Sequence, residues 1–311
     1  MTRPVVTVSI LNYQRREILR RALERAVGQS YPALDVLVVD NASTDGSDRL
    51  VEREFPLVRL VRLPENIGCA ARNAGVAAAK GEIVVTLDND VLLTTADDVR
   101  TIVDIFERRP SVACASFKIL SETGGLSRRD WCHPRDWARF ADEEFVTDYV
   151  LEGASAVRRD AFERVGGYWA PLFLGHEGLD LALRLLEAGH DLLYSPRVRV
   201  THLVAAEARP SSRIYYTFTR NAIWVALRNR RGPDAARAIG RDLALMAFTS
   251  ARAGQFRGYV RGLRDGLLGV PRALATRRPM SRATSRRLRH IRRLAPGLLA
   301  KVRRHLEEPL I

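Results

Sequence analysis

Asp88 and Asp90 flank Asn89 directly behind the β-branched run Ile83–Leu87. On an extended chain, residues two apart project to the same side, so both carboxylates can face one cation. A hard divalent ion, Mg²⁺ or Mn²⁺, takes such oxygen ligands and completes its shell with phosphate and water. Standing alone, the tripeptide equally fits a solvated turn. Asp40 closes a second apolar run, where a carboxylate needs a partner, and is placed to accept hydrogen bonds from a base or sugar. The stretch behind it, Asn41 to Ser47, is turn and N-cap chemistry. Asn66-Ile67-Gly68 leads into Arg72: the glycine permits close backbone approach, and the arginine sits one turn into a helix whose N-terminus favours anions. A surface ion pair is the plainer use of that arginine. Glu177 and Asp180 can share a helix-end face, or simply complement the helix dipole, and Arg184 lies four residues beyond Asp180. His202 ends a short strand; a lone histidine is an ordinary structural residue unless its neighbours make it a ligand.

The elements that must position these groups alternate. Strands are expected at Val5–Leu11, Asp35–Asp40, Val58–Leu63, Ile83–Leu87 and Val112–Leu120, with helices at Glu17–Val27, Ser47–Glu54, Gly68–Ala79 and Thr95–Arg108. Near-continuous apolar runs such as VLVVD are those of a sheet covered on both faces. The alternation implies a doubly wound α/β layer, mostly parallel, with ligands beyond the carboxyl ends of its strands. Asp40 and Asp88 stand at two such ends. Residues 121–148 break the rhythm and read as a long loop or lid. The pattern resumes with Glu152–Arg158, helices near Asp160–Val165 and Leu179–Ala188, and short strands Leu192–Tyr194 and Val198–His202.

Charge divides the chain. Of 50 Lys and Arg and 36 Asp and Glu, residues 209–311 hold 24 basic and 5 acidic, net +19, leaving residues 1–208 at net −5. The expected organisation is a catalytic domain over 1–208 and an Arg-rich helical region over 209–311. With 46% hydrophobic residues in 311, disorder is excluded and a large core is available. No apolar run approaches the ~20 residues of a membrane span, and the N-terminus has no leader-like segment. Three scattered cysteines point to a reducing compartment, hence the cytoplasm.

Taken in order, VSILNYQRREILRRAL, VVDNASTDGS, LPENIGCAARNAG, GEIVVTLDNDV, EGASAVRRDAFERVGGY, GHEGLDLALRLLEAG and YSPRVRVTHL resemble the family 2 glycosyltransferases, closest to bacterial rhamnosyltransferase-like members of cell-surface polysaccharide synthesis. The likeness runs from about Val5 to Leu203, with an echo at Tyr215–Asn229. It implies a GT-A fold and transfer of a sugar from a nucleotide-sugar donor to a glycan or lipid-linked acceptor, with inversion and with Mn²⁺ or Mg²⁺. Asp40 would recognise the base with help from Asn12, Asn66, Gly68 and Arg72. Asp88 would contact ribose or metal-bound water, Asp90 and His202 would hold the metal, and Glu152–Ala156 would line the acceptor side. One position departs: the family usually carries Glu-Asp, the second acid being the base, where this chain has Glu177-Gly178. The base is therefore expected at Glu177, with Asp180 in reserve, or catalysis is lost.

Other classes fit less well. A dinucleotide dehydrogenase or sugar-nucleotide pyrophosphorylase could use a similar sheet, but Gly68 to Gly75 is no G-x-G-x-x-G. A nucleic-acid binder would suit net +14, yet the excess lies on helices without a reader motif. The last segment instead spaces Leu288, Ile291, Leu294, Leu298, Val302 and Leu306 by three and four among Arg286, Arg287, Arg289, Arg292, Arg293, Lys301, Arg303 and Arg304, broken once at Pro296-Gly297. That basic amphipathic pattern suits the anionic inner face of a membrane, or packing against the catalytic domain with the arginines in water.

Overall fold

The computed structural model describes residues 3–203 and 211–307. Strands β1 (Val6–Asn12), β2 (Leu34–Asp40), β3 (Arg59–Arg62) and β4 (Ile83–Asp88) form a parallel half-sheet in the order β3-β2-β1-β4. They are crossed by α1 (Arg16–Val27), α2 (Ser47–Glu54) and α3 (Ala71–Ala78). Register sets Asn12 beside Asp40 and Leu11 beside Asp88, so the polar strand ends arrive together.

The second half is mixed. β8 (Ala154–Arg158) enters antiparallel between β4 and β6 (Val112–Leu120). β9 (Asp191–His202) lies parallel to β6 and pairs antiparallel with β5 (Val91–Leu93) and β7 (Phe145–Val146). The two short strands expected after residue 190 are this single β9; Pro196 is accommodated where the register with β6 shifts, as a proline in a sheet requires. The helix expected from Thr95 starts later, as α4 (Asp98–Arg108). Asp98 Oδ2 accepts the Thr94 and Thr95 N–H groups at 2.8 Å each, which ends the loop and opens the helix.

Helices cover both faces. Val8, Ile10, Val85 and Phe117 pack with Leu19 and Leu23 of α1 and Ile102 and Phe106 of α4. On the other face Val84, Cys114, Val157 and Leu192 meet α6 (Arg159–Arg164) and α7 (Glu177–Glu187). The segment 121–148 holds the short α5 (Trp137–Phe140) and is pinned to β9 by Trp131, His133, Phe140 and Phe145 around Tyr194.

The expected boundary at 208/209 falls in residues 204–210, outside the described residues. Beyond it run α8 (Ser211–Asn229), α9 (Gly232–Arg252), α10 (Phe256–Leu268), α11 (Val270–Ala275), α12 (Arg282–Ile291) and α13 (Leu298–Glu307). Ile223 and Trp224 of α8 and Leu288 and Ile291 of α12 share a core with α7. The amphipathic stripe therefore divides. Leu288 and Ile291 are buried, and Arg287 and Arg292 pair with Asp191 and Asp148, whereas Leu294, Leu298, Leu299 and Leu306 are exposed. The side chains of Lys301 and Arg304 lie outside the described residues. No helix among the described residues is long and apolar enough to cross a membrane.

Candidate active site

The ends of β1, β2 and β4 build one polar network. Asn12 Nδ2 donates to Asp40 Oδ1 at 2.9 Å and to Ser43 Oγ at 3.1 Å, while the Ser43 N–H donates to Asp40 Oδ2 at 3.0 Å. Asn89 Nδ2 donates to Asn12 Oδ1 at 2.7 Å. Asn12, Asp40 and Asn89 are all buried. A carboxylate has about four acceptor positions, so Asp40 retains capacity for further donors.

Asn66 and Gly68 shape this site from outside it. Asn66 Oδ1 accepts from Asn41 Nδ2 and from the Gly68 N–H, both at 2.9 Å. Gly68 lies at φ 66°, and a Cβ there would stand 2.2 Å from the Phe173 carbonyl oxygen, which the Cys69 N–H reaches at 2.8 Å. The close approach that this glycine permits is thus between two chain segments.

Arg72 is buried; its Nη2 pairs with Asp88 Oδ1, and its Nε donates to the Glu152 carbonyl at 2.9 Å. Facing Asp88 raises the guanidinium pKa further despite burial, which opposes its charge. Asp88 is held from behind too: its N–H donates to the Gly153 carbonyl, and a Cβ on Gly153 would lie 2.3 Å from Asp88 Oδ2.

Asp90 and His202 come together because β5, which starts one residue after Asp90, pairs Val91 with His202. His202 Nε2 stands 3.7 Å from Asp90 Oδ2, and Nδ1 bonds Asp130 at 2.8 Å. Burial disfavours the imidazolium, but Asp130 and Asp90 outweigh it and raise the pKa to about 10. Arg15, with φ 66° in the loop after β1, places its guanidinium on Asp90. The site therefore gathers positive charge around Asp90. Of the three expected ligands, Asp90 and His202 meet and Asp88 is turned to Arg72; among the described residues no set of three His, Cys, Asp or Glu is assembled to hold a metal. The pair still suits a divalent cation: a carboxylate beside an imidazole whose far nitrogen is oriented by a second carboxylate is an ordinary ligand arrangement.

A further pair of acids meets at the N-terminus of α7. Glu177 is buried, its Oε2 without a hydrogen-bond partner. Glu152 Oε1 accepts the Gly178 N–H at 2.5 Å. Burial pushes both carboxyls above the usual range, and for Glu152 the neighbouring Glu177 adds to it. Asp180 is elsewhere. It is fully buried, its oxygens taken by Arg184 at 2.7 Å, by Arg228 and by Asn229 Nδ2 at 2.7 Å, so no acceptor hydroxyl can reach it. The segment leading into α7 is clamped by Asn221 of α8, whose Nδ2 donates to the carbonyls of Leu172, Leu174 and Gly175.

Polar side chains gathered at the carboxyl ends of a doubly wound sheet, Asp40 from β2, Asp88 from β4 and His202 from β9, with Glu177 from α7 beside them, are the architecture of nucleotide-sugar transferases of the GT-A type. Residues 7–166 match the model of Glycosyl transferase family 2, and the chain belongs to that family. It is 39% identical over 89 residues to the succinoglycan biosynthesis protein ExoO of Rhizobium meliloti, a match covering 28% of this chain and 26% of that protein. It is 24% identical over 233 residues to the N-acetylglucosaminyl-diphospho-decaprenol L-rhamnosyltransferase of Mycobacterium tuberculosis, covering 64% and 75%. The first two curated relatives it matches are each spanned over only about a quarter of their length. The mannosyltransferase PcManGT of Pyrobaculum calidifontis, solved with GDP-Man and Mn²⁺, superposes with a TM-score of 0.58 at 23% identity, over 98% of this chain and 88% of that one.

Arg15, Asn89, Asp130 and the side chain of Glu152 are the residues at this site that sequence reasoning did not single out. Asn89 sat within the acidic tripeptide, and Glu152 opened a segment assigned to the acceptor side. Arg15 and Asp130 carried no local signal.

Proposed function

We propose that the protein is a metal-dependent, inverting glycosyltransferase that moves a sugar from a nucleoside-diphosphate donor to a hydroxyl of a glycan or lipid-linked acceptor in cell-surface polysaccharide synthesis. The observation that carries this is the convergence, on a family 2 framework, of Asp40, Asp88 and Asp90 at strand ends with a separate acid pair at the head of α7. Asp40, braced by Asn12 and Ser43, accepts hydrogen bonds from the base, and Asp88, fixed by Arg72, accepts from the ribose. Asp90 and His202 would hold the cation, and a structural neighbour was itself solved with Mn²⁺; when bound, the cation would neutralise charge on the departing diphosphate. Arg15 and Arg72 add fixed positive charge there. A carboxylate of the pair Glu152 and Glu177 takes the proton of the acceptor hydroxyl, which is otherwise a poor nucleophile. A single base opposite the leaving group gives inversion, and holding both substrates in line supplies much of the rate.

Arginine pairs within the C-terminal helices, such as Arg287–Asp191 and Arg292–Asp148, turn part of the basic charge inward and weigh against nucleic acid. The exposed Leu298, Leu299 and Leu306 of α13 beside Arg293 and Arg303 favour contact with an anionic inner-membrane surface, where lipid-linked acceptors lie. A thermal-shift screen of UDP-, dTDP- and GDP-sugars with and without Mn²⁺ tests the reading: one donor class should raise the midpoint, more with metal, in wild type and less in Asp40→Ala. No shift with any donor would overturn it.

A further inference from the structure

The glycine at 178 leaves α7 without an acid at its second residue, and the surroundings say why. A Cβ at Gly178 would stand 2.1 Å from the Val150 carbonyl oxygen, 2.3 Å from Glu152 Oε1 and 2.7 Å from Glu152 Cδ. The space in which a side chain of residue 178 would begin is thus occupied by the carboxylate of residue 152. Gly178 also donates its N–H to that carboxylate, which anchors one oxygen and fixes the direction of the other. Two positions 26 residues apart have in effect exchanged duties: one supplies the acid, the other the room and the backbone donor.

From this geometry we infer that Glu152 is the general base of the transfer reaction, an assignment that rests on the reading proposed above. Its competitor at the same helix end is Glu177. Glu177 is 6% exposed, with Oε2 sealed from solvent, which makes it the less accessible of the two carboxylates. Glu152 is only half-buried. Its backbone is tied into the donor side of the cleft: the Glu152 carbonyl accepts from Arg72 Nε at 2.9 Å and Thr86 Oγ1 at 2.8 Å, and Gly153 packs on Asp88. The carboxylate therefore stands at the N-terminus of α7, one residue along the chain from the Gly153 contact with Asp88 on the donor side. Desolvation of the carboxyl and the neighbouring Glu177 push its pKa up to about 8, so its ionised form is a stronger base than a free glutamate and grows as pH rises through that value.

In the step itself, Glu152 takes the proton of the acceptor O–H. The oxygen pair forms the new bond to the anomeric carbon, and the carbon–oxygen bond to phosphate breaks with its pair leaving on the nucleoside diphosphate. The proton on Glu152 then passes to solvent. Water in place of the acceptor gives the same step as slow donor hydrolysis, so the test needs no identified acceptor. Glu177 acts on Glu152 as a second carboxylate whose nearness disfavours ionisation and so makes the ionised Glu152 a stronger base.

The experiment measures nucleoside diphosphate release from UDP-glucose, dTDP-rhamnose and GDP-mannose with Mn²⁺, alongside donor Kd by calorimetry, for wild type, Glu152→Gln, Glu152→Asp and Glu177→Gln. Glutamine at 152 keeps the acceptor for the Gly178 N–H, so a merely capping role would leave activity intact. The expected result is unchanged donor Kd in Glu152→Gln with turnover down by roughly 10²–10⁴-fold, the usual share of a general base. Glu177→Gln, which changes the neighbour and not the base, should lower turnover by less than Glu152→Gln does and shift its pH dependence toward lower pH, because the coulombic push on Glu152 is removed. If Glu152→Gln fails to fold, Glu152→Asp decides: folded, donor-competent and slowed supports the assignment, whereas wild-type turnover overturns it. Near-normal turnover in Glu152→Gln, or a dead Glu177→Gln beside an active Glu152→Gln, also overturns it. A wild-type protein that binds none of the donors defeats the transferase reading, and the assignment with it.

Discussion

Asp180 is where a catalytic and a structural account of this site diverge most measurably. Its carboxylate is fully buried and takes Arg184 on one oxygen and Arg228 with Asn229 on the other. Arg184, 7% exposed, also donates to the Val165 and Gly167 carbonyls, so it cannot swing to solvent when its partner is lost. Asp180→Ala leaves two guanidiniums buried without their counter-charge, and losing one side of a buried pair costs about 3–5 kcal/mol. At roughly 2–4 °C per kcal/mol for a protein of this size class, Tm should fall by roughly 6–20 °C. Asp180→Asn keeps an acceptor for Asn229 and should fall less. Because Arg228 and Asn229 are on α8, the damage includes the seam between α7 and the C-terminal helices. The assays are a urea titration and donor hydrolysis per folded molecule below the new midpoint. A stable Asp180→Asn with normal donor binding and no turnover would refute this reasoning and return Asp180 to the chemistry.

Gly178→Ala must displace either the Val150 carbonyl or Glu152, so we expect turnover to fall at least as far as in Glu152→Gln and Tm to drop with it, as read by thermal shift. Leu288→Ala should cost about 2–5 kcal/mol in urea unfolding, because Leu288 is 3% exposed in the core that α12 shares with α7; a neutral result would place α12 off the body. For the same reason, lipid contact is better tested by Leu298→Ser with Leu299→Ser than by truncation: binding to anionic vesicles should weaken in co-sedimentation while Tm holds. His202 carries a pKa raised from its ordinary value to about 10. Its contribution is full below pH ~6.5, the unfolded value, and is lost as pH rises toward 10. Wild-type Tm should fall across that window more than that of His202→Gln. Mn²⁺ must take a neutral imidazole, so its affinity should rise with pH over the same range, as calorimetry would detect.

Local features of the sequence located the strands and acids that depend on local chemistry. The helix Ser47–Glu54 and the strand Val112–Leu120 appear as expected, as do Asp40 and Asp88 at strand ends, since buried runs and turn residues act over a few positions. What was not legible depends on pairing across the chain. β8 enters antiparallel at 154–158, a direction no alternation of apolar residues encodes. The i+4 neighbour Arg184 of Asp180 was visible, but Arg228, 48 residues on, was not. Asp130 reaches His202 from a segment read only as a loop. Gly178 looked like a loss until Glu152, brought across by the fold, was seen to fill its place. The C-terminal stripe had the right period, yet period alone does not choose between a lipid surface and a protein core, and α12 took the core.

Asp90 and His202 are proposed to serve a nucleotide-sugar transfer. That role is tested most directly by nucleoside diphosphate release from the best-bound donor, titrated with Mn²⁺ in wild type and Asp90→Ala, with folding checked by circular dichroism. Release in wild type should be saturable, Mn²⁺-dependent and abolished by chelator, and folded Asp90→Ala should lose at least about 100-fold, the scale on which removing one group from a preorganised charge-stabilising site is felt. Release that is indifferent to chelator, or equal in the two proteins, would contradict it.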